Sequence, residues 1–430
     1  MNKASLSERD AKVIWHPYTQ HQKSDEPIPI VKGEGALLFD EKGNTYIDAI
    51  SSWWVNLHGH GHPYIAGKIH VQSLVLEHVI FTNFTHEPAV ALAERLLKLL
   101  PGQLTKIFYS DNGSTAVEVA LKMAIQFWRN KDQPKRNKIL AFENAYHGDT
   151  FGAMSVSHRG LFTNAFRDFL FDVIFIETPS GNNLEKIKSV IQSHDDGIAA
   201  FIYEPLLQAA GGMKIYEAGP MDELLEYIRS EKILCIADEV LTGFGRTGSL
   251  FASESFKNPP DIICLSKGLT GGTLALGVTA CSQHLFNAFL SADRTRTFFH
   301  GHSFTANPIA CTAGLASLDL LEENSCGEKR AWIRQQHTAF VKNDMATLNQ
   351  NLIINTRIIG TIMAFELDTG KHEYINEISS IIMQNGLSQG VYLRPLGNTV
   401  YIMPPYCISP DQLAKIYQFI LSIPCFIRRN

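Results

Sequence analysis

No Cys-x-x-Cys pair occurs in the 430-residue sequence, which excludes zinc ribbons and thioredoxin-type redox motifs. The seven cysteines, at 235, 264, 281, 311, 326, 407 and 425, are odd in number and scattered, several inside apolar runs such as ILCIAD and DIICLS. They read as small buried side chains in a reducing compartment. Positive charge is not in excess either. Against 38 Lys and Arg stand 43 Asp and Glu, a formal charge of −5, so no general basic surface draws the chain to nucleic acid or anionic lipid. No apolar run approaches the roughly 18 residues that span a bilayer, and the opening MNKASLSERDAKVIW lacks the apolar core of a signal peptide. Internal repeats and low-complexity linkers are also missing. What remains is 45% hydrophobic and 19% charged, an ordinary globular mix with enough core to build a deep site. A cytoplasmic protein is expected.

Between about Ile65 and Leu320 short apolar runs alternate with amphipathic stretches. Strand-like runs are KIFYS (106–110), KILAF (138–142), VIFIE (173–177), IAAFIYE (198–204), ILCIADE (233–239) and DIICLS (261–266), and helical patterns include Pro88–Leu100 and Ser114–Asn130. Such alternation predicts an α/β fold with a mostly parallel sheet covered on both faces. After Leu320 the pattern changes. A polar break, EENSCGEKR, precedes a helix over Ala331–Asn349, and TIMAFEL, VYLRPLG and TVYIMPP read as antiparallel strands. The expected division is a large domain over 51–324 and a smaller α+β lobe built from 1–50 and 325–430, to which the strand-like GALLFD (35–40) and TYIDA (45–49) belong.

One motif misleads. Gly243–Gly248 reads GFGRTG, formally a dinucleotide fingerprint, but that loop must open a helix directly after a strand. Here it follows DEVLT and leads into SLFASESF, with an arginine, Arg246, inside the turn. A nicotinamide site is not expected. A better anion site follows KIFYS, where Gly113 permits close backbone approach and Ser114 adds a hydroxyl at a helix start. Taken alone, it is equally an ordinary N-cap. Two further strand ends change its weight. ILCIA ends in Asp238, and DIICLS ends in Lys267 followed by GLTGG.

A lysine, an acid and an anion loop on three strand ends are the parts pyridoxal phosphate requires. Its aldehyde forms a Schiff base with a lysine, its ring nitrogen needs a carboxylate to keep it protonated, and its phosphate needs backbone donors. In ENAYHGDTFGAMSV, Tyr146 and His147 offer a flat ring to cover the cofactor. The run His58-x-His60-x-His62 invites a metal reading, but its glycines make it a turn and no cysteine or carboxylate lies close in sequence. No metal is expected.

ENAYHGDTFGAMSV, EPLLQAAGGM, IADEVLTGFGRTG, CLSKGLTGG and GHSFTANPIA together resemble the class III aminotransferases, of fold type I among pyridoxal phosphate enzymes, from about Trp15 to Tyr406. The resemblance implies that Lys267 holds the cofactor, that Asp238 partners its ring nitrogen, that Gly113 and Ser114 bind its phosphate and that Tyr146 stacks on it. Four stretches, WHPYTQ, SSWWVNLHGHGHP, YHGDTFGAMSV and LRPLGNTVYIMPPY, resemble the branch that serves biotin biosynthesis. That branch moves an amino group from S-adenosylmethionine, or in some members from lysine, to 8-amino-7-oxononanoate. Tyr18, Trp53, Tyr146, Lys267, Gly301 and Arg394 are then expected at the substrates. A guanidinium suits a carboxylate and aromatic faces suit a sulfonium, while Asp149 serves either as an acceptor for an amino group or in a structural role. Arg246 and Glu204 serve either donor binding or polar structure. The family also implies a homodimer in which the segment Gly301-His302-Ser303 reaches the partner's cofactor phosphate. Many members carry Gly-Pro-Thr there. Ser303 keeps the hydroxyl, and His302 resembles related class III enzymes with other substrates. The alternative function is that of another class III enzyme, such as an ω-amino acid:pyruvate aminotransferase or an aminomutase.

Overall fold

Seven strands make the central sheet in the computed structural model, which describes residues 4–348, 352–370 and 377–427. In chain order they are β1 (Leu104–Ser110), β2 (Lys138–Phe142), β3 (Val173–Ile176), β4 (Ile198–Tyr203), β5 (Leu234–Asp238), β6 (Ile262–Leu265) and β7 (Gly277–Ser282). Their spatial order is β1-β7-β6-β5-β4-β2-β3. The run from β6 to β3 is parallel, and β7 alone is antiparallel to both neighbours. Strands β4, β5 and β6 are buried along their whole length, the signature of a sheet covered on both faces. Each fully buried Ile or Leu in them contributes roughly 1.5–3 kcal/mol.

Six of these strands coincide with the apolar runs legible in the sequence. The seventh, GVTACS, does not announce itself, because a leading glycine and alternating Thr, Cys and Ser weaken the apolar signal. That glycine is required where it stands. A Cβ on Gly277 would lie 2.4 Å from the Asn112 carbonyl oxygen. The helix Gly113–Asn130 crosses this part of the sheet, buries Val117, Ala120, Ala124 and Phe127, and is pinned by Thr279, whose hydroxyl donates to the Ala116 carbonyl at 2.8 Å.

The chain ends build two further sheets. Ile30–Glu34, Leu37–Asp40 and Thr45–Asp48 form an antiparallel set, and Val391–Tyr392 joins it beside Thr45–Asp48. That last pairing is parallel. The antiparallel expectation for VYLRPLG therefore fails, and the reason is that its partner comes from the other end of the chain. Ile353–Ile359, Ile362–Leu367 and Thr399–Ile402 do pair antiparallel. The stretch read as a polar break is the first turn of a helix, Asn324–Asn343. Only Glu322 and Glu323 separate it from the helix Pro308–Leu321. The predicted end of that helix, Asn349, lies outside the described residues.

Candidate active site

Open α/β sheets bind ligands beyond the carboxyl ends of their strands, and here a cavity of about 620 Å³ opens at that edge. Its wall includes Gly113 and Ser114 after β1, Tyr146 and Asp149 after β2, Glu204 after β4, Asp238 at the end of β5 and Lys267 after β6. Tyr18 and Arg394, from opposite ends of the chain, close it together with Trp53. The register pairs Asp238 with Cys264, so the acid and Lys267 emerge at one level of the sheet. Most of the candidate residues thus meet in one place. Gly301, His302 and Ser303 do not line it. Their stretch lies on the surface, between the exposed Phe299 and Phe304.

The helix start carries a capping box. Asn112 Oδ1 accepts from Thr115 N–H at 2.9 Å and Thr115 Oγ1 accepts from Asn112 N–H at 3.1 Å. This leaves the N–H groups of Gly113 and Ser114 for an anion. A Cβ on Gly113 would stand 2.7 Å from Val240 Cγ1, and one on Gly148 2.2 Å from Ser114 Oγ. Only glycines keep that cradle open.

Asp238 is held on two sides. Oδ1 accepts from Val240 N–H at 3.1 Å and Oδ2 lies 2.7 Å from His147 Nδ1. An ionised carboxylate only accepts, so His147 carries its proton on Nδ1. Its Nε2 is buried without a hydrogen-bond partner. The sequence offers Tyr146 and His147 together as the source of a flat ring over the cofactor; in the structure the His147 ring bonds to Asp238. Lys267 occupies a left-handed backbone position, φ 42°, with Nζ 4.8 Å from the centroid of Trp54. Loss of water lowers its pKa from the ordinary lysine value, against the opposing pull of Asp238 and Glu204.

Glu204 is a buried carboxyl at the cavity wall. It accepts from Tyr146 N–H at 3.2 Å and Ala209 N–H at 3.0 Å. Burial pushes its pKa up to about 7, the nearby Asp238 adds to this, and His147 opposes it. A carboxyl whose folded pKa lies above its unfolded value binds a proton preferentially in the native state. Its contribution is therefore complete at acid pH and is lost as pH rises through about 7. Urea midpoints measured from about pH 4.5 to about pH 8 should show this decline, worth roughly 3 kcal/mol. It should be smaller by about that amount in Glu204→Gln. An equal slope in both proteins removes Glu204 as its source.

Arg246 has no place on the cavity wall. It is fully buried, donating to the carbonyls of Asn56 at 2.9 Å and Pro404 at 3.1 Å, with Tyr406 beneath it. The GFGRTG loop is a structural clamp. The substrate side is aromatic. The Tyr18 hydroxyl donates to Asp149 and lies 3.4 Å from the Tyr146 hydroxyl, while Phe162 and Trp53 meet Tyr18 edge-on. The Arg394 guanidinium sits 4.4 Å from the Trp53 ring centroid. Trp53 and Trp54 belong to a turn, Ser51–Trp54, whose four residues all have positive φ, 52°, 45°, 66° and 77°. None is glycine, and each left-handed residue costs about 1–2 kcal/mol. Phe162 and Trp54 also line the cavity, and no sequence motif marks Phe162. The SSWW doublet was the one signal for Trp54.

The residues present fit pyridoxal phosphate. A glycine-lined anion cradle, a fixed carboxylate and a lysine of lowered pKa share one cavity, whose size suits small ligands. Among the described residues no group of His, Cys, Asp and Glu is arranged to hold a metal ion.

Residues 18–423 match the profile of the family described as aminotransferase class-III. The adenosylmethionine-8-amino-7-oxononanoate aminotransferase of Synechococcus elongatus is 44% identical over 420 residues, covering 95% of this chain and 98% of its own. The crystal structure of the enzyme so named from Methanocaldococcus jannaschii superposes with a TM-score of 0.91 at 33% identity, over 97% of this chain and 98% of that one. An ω-transaminase from Pseudomonas jessenii, in complex with PMP, gives 0.90 at 25% identity, over 98% and 97%.

Proposed function

The chain belongs to the class III aminotransferases, and from that premise we infer that it transfers an amino group from S-adenosylmethionine to 8-amino-7-oxononanoate, yielding 7,8-diaminononanoate for biotin synthesis. The observation that carries the choice of substrates is the Arg394 guanidinium on the Trp53 ring, with Tyr18 edge-on to the same ring in the cavity wall. A long apolar keto acid ending in a carboxylate needs one guanidinium and an aromatic channel, and the same faces serve a sulfonium.

Pyridoxal phosphate is the cofactor, and when bound it supplies an aldehyde and a cationic ring that withdraws charge from the donor's α-carbon. Gly113 N–H, Ser114 N–H and Ser114 Oγ would hold its phosphate. Asp238, fixed by His147 and Val240, would keep the proton on its ring nitrogen, and Tyr146 would cover its face. Lys267 Nζ, at its lowered pKa, is the base that takes the α-carbon proton and the acid that returns one. Arg394 orients the acceptor by its carboxylate, and Tyr18, Trp53 and Phe162 exclude water from the channel. The two substrates use one cavity in turn, which implies ping-pong kinetics.

Gly301, His302 and Ser303 belong to a second copy's site in this proposal. They lie in a surface stretch with Phe299 73% and Phe304 64% exposed, and His78, two residues before the exposed Ile80, packs against Phe304 at 5.4 Å. An apolar patch of that kind suits a homodimer. The division into a cofactor domain over 51–324 and a lobe from 1–50 and 325–430 is part of the same proposal, as is a cytoplasmic location. The seven cysteines are free, in keeping with a reducing compartment. No described helix is long and apolar enough to cross a membrane.

The donor is tested by half-reactions. S-Adenosylmethionine should bleach the visible absorption of the bound cofactor in a single turnover, and β-alanine and ornithine should not. Bleaching by lysine alone would make this a lysine-donor enzyme. Bleaching by β-alanine or ornithine, with none from S-adenosylmethionine or lysine, would assign it to ω-amino acid chemistry.

A further inference from the structure

The turn Ser51–Trp54 is strained along its whole length, and one buried carboxylate gathers the bonds that keep it so. Asp48 closes the strand Thr45–Asp48 with its side chain at 0% exposure. Its Oδ1 accepts from Ser52 N–H at 2.9 Å and Ile50 N–H at 3.3 Å. Its Oδ2 accepts from Ser52 Oγ at 2.7 Å and lies 2.9 Å from His60 Nε2. The histidine's orientation follows from the same network. Gly59 N–H donates to Asn56 Oδ1 at 2.7 Å, so the Asn56 amide nitrogen points to His60 Nδ1, 3.2 Å away. Nδ1 therefore accepts, and Nε2 carries the proton that Asp48 receives. The His60 backbone is fixed in turn by reciprocal bonds with Gly35, at 2.7 and 3.1 Å. Gly33 makes room for it, since a Cβ there would stand 2.6 Å from His60 Cβ. The central histidine of the HGHGH run thus has a defined task.

The two indoles depend on the turn unequally. Trp54 has anchors of its own: it is buried and its Nε1 donates to the Tyr401 hydroxyl at 2.8 Å. Trp53 is 39% exposed and faces the cavity against Arg394 and Tyr18. Its direction is set by the backbone conformation together with those two ring contacts. We propose that Asp48, oriented by His60, is a positioning residue for the substrate channel: it holds the left-handed turn that lays the Trp53 indole against Arg394. The kinetic consequence rests on the aminotransferase reading, whereas the conformational one does not.

Asp48→Asn keeps the shape but presents an amide nitrogen to the His60 N–H and the Ser52 hydroxyl. Near-ultraviolet circular dichroism of the holoenzyme should then lose tryptophan signal, as it should in Trp53→Ala. The KM for the oxo-acid acceptor should rise about tenfold with kcat changed less than about threefold. Trp53→Ala supplies the decisive background. If Asp48 acts through Trp53, Asp48→Asn should raise KM less than about twofold once Trp53 is gone. An equal rise in both backgrounds, or an unchanged dichroism spectrum, overturns the proposal. Should Asp48→Asn not fold, the milder His60→Gln is put through the same cycle and decides. A shifted spectrum in an enzyme that does not use this acceptor would overturn the functional reading and leave the turn assignment standing.

Discussion

Lys267→Ala should abolish multiple turnover, lowering kcat by about 10³-fold or more, because the chain loses both the amine that holds the cofactor and the base that moves the proton. Without cofactor, the same variant should be at least as stable as the parent. Alanine keeps the backbone at the same left-handed φ of 42°, and it removes an ammonium whose pKa is lowered by loss of water. Pyridoxal phosphate should still bind through the Gly113–Ser114 cradle and Asp238. Borohydride should then fix cofactor to the parent chain and not to the variant. Steady-state assays, borohydride labelling and a melting curve together check the claim. Full turnover in the variant would take Lys267 out of the mechanism.

Asp238→Asn should lower kcat by about 10²–10³-fold while costing less than about 1 kcal/mol of stability. The contrast follows from the bonds. Asparagine Oδ1 can still accept from Val240 N–H, which lies 3.1 Å from the present oxygen. Its amide nitrogen would face His147 Nδ1, and the imidazole can answer by moving its proton to Nε2, which has no partner to lose. The fold therefore adapts, but no negative charge remains to hold a proton on the cofactor ring. The kinetic and denaturation measurements must diverge in this way. A fall in kcat below about tenfold would mean that the ring nitrogen does not rely on Asp238.

Much of this architecture is legible in the sequence alone. Apolar runs such as IAAFIYE and ILCIADE mark strands buried on both faces, where nothing but packing is asked of the sequence. The residues that follow them, Glu204, Asp238 and Lys267, lie at the edge where such sheets bind ligands. Features that depend on distant partners were not legible. Val391–Tyr392 takes its direction from Thr45–Asp48, and GVTACS becomes a strand because β1 and β6 flank it. The SSWW turn is the extreme case. Nothing in four residues without glycine suggests a left-handed path, since the conformation is imposed by Asp48 from one side and by Ser51 bonding to the Met403 carbonyl, at 2.7 Å, from the other. His147 shows a different limit: residue type and position drew notice, but only geometry distinguishes a stacking ring from a partner for Asp238.

The placement of β7 also governs when this site comes into being during synthesis. Strand β1 has a single neighbour in the sheet, and the register pairs Ser110 with Gly277. A nascent chain that has already emitted the Gly113–Asn130 helix has no docking place for its anchoring strand until residues past 277 leave the ribosome. The channel wall waits longer still, because Ser51 is tied to Met403 and Thr45–Asp48 to Val391. Pairings of such sequence separation form late and slowly. They leave apolar edges open to wrong partners in the meantime. Truncation near the C-terminus should therefore cost this protein its substrate channel, even where the central sheet survives.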